Sequence, residues 1–308
     1  MPVRTIHRTQ HHFGWDHSFQ PVLTVAPGDE VEFEIVDASG GQLDPSSTPE
    51  DVGRLDFAKV NPVTGPVFVD GAQPGDALVV DILAFAPSGW GWTAIVPGFG
   101  LLAEDFPRPA LHITHYDQEG VAWTPEIRLP FRPFPGTIGV APREPGLHSI
   151  VPPREVGGNM DIRDLSPGAR LWLPVAVPGA HFSVGDTHAA QGDGEVCGTA
   201  VESPMSVRLR FDLVRQARLR RPQFRPGRRA PTADVEYHAT TGIAPDLMPA
   251  AKDAVRDMID HLGRTYGLAP EMAYMLCSVV VDLHISEVVD APNWVVSAYL
   301  PKSIFRSV

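Results

Sequence analysis

Apolar and polar residues alternate strictly through Glu30-Val31-Glu32-Phe33-Glu34-Ile35. That period of two belongs to a strand with one wet face, its Val31, Phe33 and Ile35 turned inward. The run follows Pro27-Gly28, and the same opening recurs at Pro74-Gly75 (PGDALVVDI, 74–82) and Pro167-Gly168 (PGARLWLPV, 167–175). Proline presets φ for a turn and glycine accepts the positive φ after it. The three prolines lie 47 and then 93 residues apart. A duplicated β-unit and an ordinary recurrence of Pro-Gly turns both remain open on that spacing. Residues 169–177 and 195–213 read as buried strands. Residues 85–160, rich in proline and glycine, read as loops and short strands.

The period changes near the C-terminus. Leu247, Ala251, Ala254, Val255, Met258, Ile259, Leu262 and Tyr266 recur at three- and four-residue steps, which predicts a helix over 246–266. Asp246 suits its N-cap and Gly267 its C-cap, and Pro270 opens a second helix over 270–279. The following VVDLHISEVVD predicts mixed strand or short helix. The expected fold is mainly β, built of barrel- or sandwich-like units, with a smaller α+β C-terminal part. A β-rich region over 1–210 carries most of the candidate site. A basic hairpin and the α+β part over 211–308 pack on it as one compact unit.

Composition narrows the function. The chain has 308 residues, 32 of them proline and 28 glycine, which suits short elements joined by turns. Its formal charge of −12 disfavours nucleic acid as a partner. Nine arginines fall between 208 and 229, but only Phe211 and Phe224 accompany them, so the run reads as a solvated hairpin or a subunit contact. No apolar run reaches the ~18–20 residues that span a bilayer. The N-terminus has no apolar signal-peptide core, and Cys197 and Cys277 form no disulfide framework. The expectation is a cytoplasmic protein with no membrane partner.

Candidate chemistry concentrates in HFSVGDTHAAQGDGEVCGTAVE (181–202). Asp186 and His188 are two apart, so an extended backbone turns both to one face. Histidine with carboxylates suits a zinc-like divalent ion. The Gly192-Asp193-Gly194 turn lets Glu195 fold back toward the same place, with Gln191 beside it. Gly157-Gly158-Asn159-Met160-Asp161 reads either as an Asx turn or as a loop presenting Asn159 and Asp161. Asp37-Ala38-Ser39-Gly40-Gly41-Gln42 closes the first strand as a turn or a site loop, and Asn61-Pro62 starts a rigid turn or a pocket wall. The histidines at 7, 11, 12 and 17 read as a loose start with no fixed geometry. No serine sits in a G-x-S-x-G elbow.

NPVTGPVFVDGAQPGD (61–76), GTIGVAPREPGLHSIVPPREVGGNMDIRDL (136–165), LPVAVPGAHFSVGDTHAAQGDGEVCGTAVE (173–202) and AYMLCSVVVDLHISEVVDAPNWVVS (273–297) occur in that order. Together they resemble the acetamidase/formamidase family from about residue 20 to 302. The resemblance implies a mainly β, metal-dependent hydrolase that turns short aliphatic amides into carboxylate and ammonia, acting as a homodimer or higher homo-oligomer. It implies a divalent metal, zinc by preference, on Asp186, His188 and Asp161, with Glu195 as general base or as a further ligand. Asn159 and Gln191 join Glu195 as catalytic residues, and Asp37, Gln42 and Cys197 contact substrate. Two departures bear on the pocket: His181 stands where an apolar residue is expected, and Val280-Val281 where a small pair is expected. Two other readings stay open. One is a metal- or ligand-binding β-protein without turnover. The other is an amide hydrolase using the Cys197 thiol as nucleophile.

Overall fold

The Glu30–Glu34 strand buries Val31 and Phe33 and leaves its glutamates half-exposed, as the alternation requires. The architecture around it comes from a computed structural model, which describes residues 3–117, 119–227 and 236–305. Among the described residues the strands form three sheets of nine, six and four strands, and none closes into a barrel. The sandwich expectation holds and the barrel expectation does not.

All three strands that follow a Pro-Gly turn lie in the nine-stranded sheet: Glu30–Glu34, Ala77–Pro87 and Arg170–Pro174. Met205–Val214 pairs antiparallel with both of the first two, and Arg170–Pro174 pairs antiparallel with Ala77–Pro87. One face of this sheet packs on the six-stranded sheet. Phe33, Phe182 and Phe211 meet there edge to face, with ring centres 5.0–6.2 Å apart. Such T-shaped contacts suit the aromatic quadrupole and seal the core between the layers.

Within 85–160, four strands pair in sequence order as a small sheet, Trp90–Ile95, Ala110–Asp117, Gly120–Thr124 and Ile127–Leu129. The predicted strand over 195–213 is corrected. Residues 195–204 form a loop, and the strand is Met205–Val214. The polar and glycine content before Met205 outweighs its apolar residues. A boundary at 210 falls inside this same strand.

The predicted helix is Leu247–Tyr266, with Asp246 accepting from the Met248 N–H and Gly267 left-handed at φ 69°. A second helix is Pro270–Val280, and Asp282–Glu287 is the last strand of the nine-stranded sheet. Both helices pack on Val296, Ala298 and Leu300 of the neighbouring strand. Among the described residues the arginine-rich run forms no hairpin, its two strands Met205–Val214 and Gln223–Arg225 pairing with other strands. Arg208 and Arg210 pair with Glu32 and Asp81 within the sheet, and Arg215 pairs with Asp76. Arg220 and Arg221 reach Asp257, Asp260 and Asp253 on the first helix. Their charge ties the helix to the sheet. Arg228 and Arg229 lie outside the described residues.

The histidine-rich start is pinned rather than loose. His11–His12 pairs with Val63 and Thr64, and His12 Nε2 lies 2.9 Å from Ser183 Oγ.

Candidate functional site

The Phe182–His188 strand is central in the six-stranded sheet, between Phe134–Gly139 and Val63–Val69. Every residue of it is buried. A strand so placed carries whatever polar groups it has into the interior, where they need partners. Asp186 and His188 do meet: His188 Nε2 lies 3.0 Å from Asp186 Oδ1. The short Gly157–Asn159 strand extends the same sheet, and just beyond it Asp161 Oδ1 lies 3.8 Å from His188 Nδ1. Loop residues Glu195 and Glu202 approach from above, and Asp290 comes from the turn after Asp282–Glu287.

The histidine's orientation is set by Gln191. The Gln191 Nε2 donates to the backbone oxygen of Asp161 at 2.8 Å, which leaves Gln191 Oε1 facing His188 Nδ1 at 2.9 Å. Nδ1 is therefore the donor to Gln191. Nε2 then faces two carboxylate oxygens, Asp186 Oδ1 and Glu202 Oε2, each at 3.0 Å. A bare imidazole nitrogen between two carboxylates repels them. A proton on the ring, a proton on one of the carboxyls, or a metal ion must relieve that repulsion.

The whole cluster is rich in buried acid. Asp161, Asp186, Glu195, Glu202, Glu287 and Asp290 are all buried around one histidine. Burial raises Asp161 to about 6 and Glu202 to about 8, and it pushes Glu195 and Asp290 well above the carboxylate range. Burial also works against charge on Asp186, but the neighbouring His188 outweighs it and leaves that carboxyl below its usual value. Burial disfavours charge on His188, yet Glu202 and Asp186 raise it well above its ordinary value.

Three observations fit this donor set to a divalent ion. Neither carboxylate oxygen of Asp161 accepts a hydrogen bond, and Glu202 Oε2 accepts none either, although all three are buried. Ligand atoms of Asp161, Asp186 and His188 lie within 4.8 Å of one another, as do those of His188, Glu195 and Glu202, and those of Asp161, Glu195 and Asp290. Finally, position 136 has no side chain. A Cβ there would meet Asp161 Oδ1 at 2.4 Å, Asp186 Oδ2 at 2.7 Å and His188 Cε1 at 2.8 Å. Glycine keeps open the space onto which these groups converge.

Backbone strain marks the same place. Asn61, Asp161, Asp186 and Glu195 all hold positive φ, between 47° and 53°. Non-glycine residues adopt this region at a cost that the surrounding structure must meet. Asp161 and Asp186 thus reach the cluster from left-handed backbone rather than the extended chain expected at Asp186, while Asn159 ends a strand.

A polar network holds the near wall. Asn159 Nδ2 donates to Asp290 Oδ2 at 2.6 Å. Thr137 Oγ1 lies near Asn159 Oδ1, Asn61 Oδ1 and Asp186 Oδ2. A cavity of about 90 Å³ opens onto Asn159, Asp186, Glu195, Glu202 and Asp290. Its other walls include Leu55, Val60, Trp92, Val96 and Phe99.

The remaining predicted residues lie outside this cluster. Asp37 is buried behind the wall, where its Oδ1 accepts from the Trp92 indole N–H at 3.0 Å and from Ser39. Burial raises its pKa. Gln42 braces the loop behind the cavity. Its Nε2 donates to the backbone oxygens of Ser39 and Asp56, and its Oε1 accepts from the Asp56 N–H. The Cys197 Sγ turns to the Thr199 backbone oxygen at 3.3 Å, in a separate groove that shares Glu195 and Thr199 with the cavity. Neither His181 nor Val280-Val281 lines the cavity. His181 packs edge-on against Phe68, and Val280 and Val281 pack in the helix core.

The sequence reading missed Glu202, Asp290, Glu287, Thr137 and Gly136 as site residues. Glu202 closes the segment already singled out, and Glu287 and Asp290 sit among apolar residues in SEVVDAP. Charge within an apolar run was the available signal. Glu287 Oε1 accepts from the backbone N–H groups of Val289 and Asp290, so it shapes the turn that presents Asp290.

A buried histidine set by an amide, strained acidic residues and a small cavity beside them are the features of an enzyme centre. The chain belongs to the Acetamidase/Formamidase family, which it matches over residues 3–150 and 144–307. It is an amidohydrolase. It is 30% identical to a formamidase of Methylophilus methylotrophus over 96% of this chain and 90% of that one. A recombinant predicted acetamidase/formamidase from Thermoanaerobacter tengcongensis superposes with a TM-score of 0.89 at 31% identity, covering 98% of this chain and 96% of the other. An acetamidase from Bacillus halodurans gives a TM-score of 0.87 at 31% identity over 98% of both chains.

Proposed function

We propose that this enzyme hydrolyses short aliphatic amides of the formamide and acetamide type with the help of a divalent cation, zinc by preference. The observation that carries the reading is the His188 Nε2 held between Asp186 and Glu202 at 3.0 Å, with Asp161 close by and without hydrogen bonds. His188, Asp186 and Asp161 would hold the ion, with Glu202 as a further ligand. His and carboxylate donors are the ordinary set for such an ion. When bound, the cation supplies Lewis acidity, acidifying a water and polarising the amide carbonyl.

The protein's own groups do the rest. Glu195 faces the cavity with its pKa raised by burial and by Asp161. It takes the proton of the attacking water and passes it to the departing nitrogen. That delivery matters because an amide nitrogen is a poor leaving group. Asn159 spends one N–H on Asp290 and keeps the other to steady the oxyanion. A cavity of about 90 Å³ with apolar walls at Leu55, Val60, Trp92, Val96 and Phe99 suits a substrate of a few heavy atoms. Carboxylate and ammonia are the products. The free thiols of Cys197 and Cys277 are consistent with a reducing, cytoplasmic location, and among the described residues no helix is long and apolar enough to cross a membrane.

The test is ammonia release from formamide and acetamide before and after stripping with a strong chelator. Activity should vanish and return with added zinc; a rate indifferent to chelation overturns the metal. Glu195→Gln should keep its circular dichroism and lose about 10²–10⁴-fold in kcat. Full activity in that variant removes the role given to Glu195.

A further inference from the structure

Glu195 follows Gly192-Asp193-Gly194, a stretch in which only Asp193 has a side chain beyond hydrogen. Gly194 holds φ 94° and Glu195 φ 47°, left-handed backbone that the surroundings must keep in place. The backbone bonds of Glu195 itself stay inside the loop. Its N–H donates to the Gly192 oxygen at 3.3 Å, and its oxygen accepts from the Gly198 N–H at 2.8 Å. Anchorage comes from the flanking residues. The Gly194 N–H donates to the Ser286 oxygen at 3.0 Å, and the Val196 oxygen accepts from the Leu101 N–H at 2.9 Å.

The Asp193 carboxylate adds a third anchor, held from two directions. Its Oδ2 lies 2.9 Å from Arg163 Nη2 and 3.2 Å from His284 Nδ1. Arg163 follows Asp161 by two residues, and His284 lies on the Asp282–Glu287 strand just before the turn that presents Asp290. The His284 ring packs on Tyr299 with centres 4.5 Å apart, and the Tyr299 hydroxyl donates to Asp164 Oδ2 at 2.9 Å. Both arms of the clamp therefore close on the segment that carries Asp161. One carboxylate oxygen joins the three segments bearing Asp161, Glu195 and Asp290, whose ligand atoms lie within 4.8 Å of one another. Arg163, Asp193 and His284 are not among the walls of the cavity.

We infer that Asp193 is a positioning residue that acts through Glu195, its carboxylate clamped by Arg163 and His284 so that the loop aims Glu195 into the cavity. The inference rests on the reading of Glu195 as general base. The side chains of Arg163, Asp193 and His284 are 34%, 29% and 24% exposed. Ion pairs this open add little to overall stability. A shift of about 1 Å in a reacting group, by contrast, can cost on the order of 10²-fold in rate. The clamp should therefore register in turnover rather than in melting.

The test is a kinetic double-mutant cycle in the full-length enzyme with acetamide. Asp193→Ala should lower kcat about 10–100-fold, the typical effect of a supporting partner, with KM and melting temperature little changed. In a Glu195→Gln background the same change should move the residual rate less than about twofold, because the group it positions is gone. A loss of full size in both backgrounds, or no loss in either, overturns the inference. Full activity in Glu195→Gln alone is a separate result, which removes the general base and the reading of the site with it. Arg163→Gln should lower kcat in the wild-type background and change it little in Asp193→Ala; additive losses overturn the clamp. Hydrogen exchange gives a readout independent of turnover. Residues 192–196 should exchange faster in Asp193→Ala while the Phe182–His188 strand keeps its protection. Unchanged exchange over 192–196 overturns the inference even where kcat falls.

Discussion

The Asn159 side-chain amide and the Asp290 carboxylate meet at 2.6 Å although 131 residues separate them. The bond ties the end of the six-stranded sheet to the turn beyond the last strand of the other sheet. It fixes the Asn159 side-chain amide in the cavity wall. Asp290→Ala should let that amide turn away. Supporting partners of this kind are typically worth about 10–100-fold in activity. Steady-state kinetics should show kcat falling by this factor with KM little changed. Asn159→Ala should cost a similar amount, and the double variant little more, because the two act as a unit. Additive losses would separate their roles.

Gly136→Ala tests the space among the candidate ligands. The added methyl falls 2.4 Å from Asp161 Oδ1 and 2.7 Å from Asp186 Oδ2, inside contact distance. The variant should fold, since residue 136 lies outside the left-handed φ region, but it should bind less than a tenth of the wild-type zinc and show no amidase activity. Elemental analysis after dialysis gives the first quantity directly. Full metal content would show that the ion sits elsewhere.

Cys197→Ser separates thiol chemistry from the proposed route. The Cys197 Sγ points to the Thr199 backbone oxygen and lies outside the walls of the Asp186–Glu195 cavity. Activity should stay within about threefold of wild type, since serine keeps a donor to the same carbonyl. A dead variant would restore the thiol as nucleophile.

The His238 and His261 rings stack at 3.5 Å between the Tyr237–Ala244 strand and the Leu247–Tyr266 helix. Burial, with Lys302 adding to it, lowers His261 to about 4. Burial, then His261 and Lys302, sets His238 well below its usual value. Between pH 6.5 and 4 the unfolded chain therefore binds more protons at these rings than the native one. The stability they allow is complete above about pH 6.5 and is lost as pH falls toward 4. His261→Phe keeps a stacked ring that cannot titrate. Its melting temperature should drop less than that of wild type between pH 7 and 5, by about 5 °C. Parallel curves for the two proteins would contradict this assignment.

Much of this protein was legible in local pattern. The Glu30–Ile35 alternation, the Pro-Gly turns and the Asp246-to-Gly267 helix each follow from interactions within a few residues, so their sequences suffice. The Asp186-x-His188 pair was visible because its partners are two residues apart. Tertiary structure decided the rest. Glu202 and Asp290 join the cluster only because separate loops fold over the same strand, and the bare α-carbon at 136 matters only because three side chains converge on it. Gln42 and Cys197 sit in suggestive motifs, yet backbone carbonyls and a folded loop claim their side chains. Chain pattern dictates which face of an element is apolar, but only packing brings distant charges to one buried point, and there desolvation turns ordinary carboxylates into candidate ligands and bases.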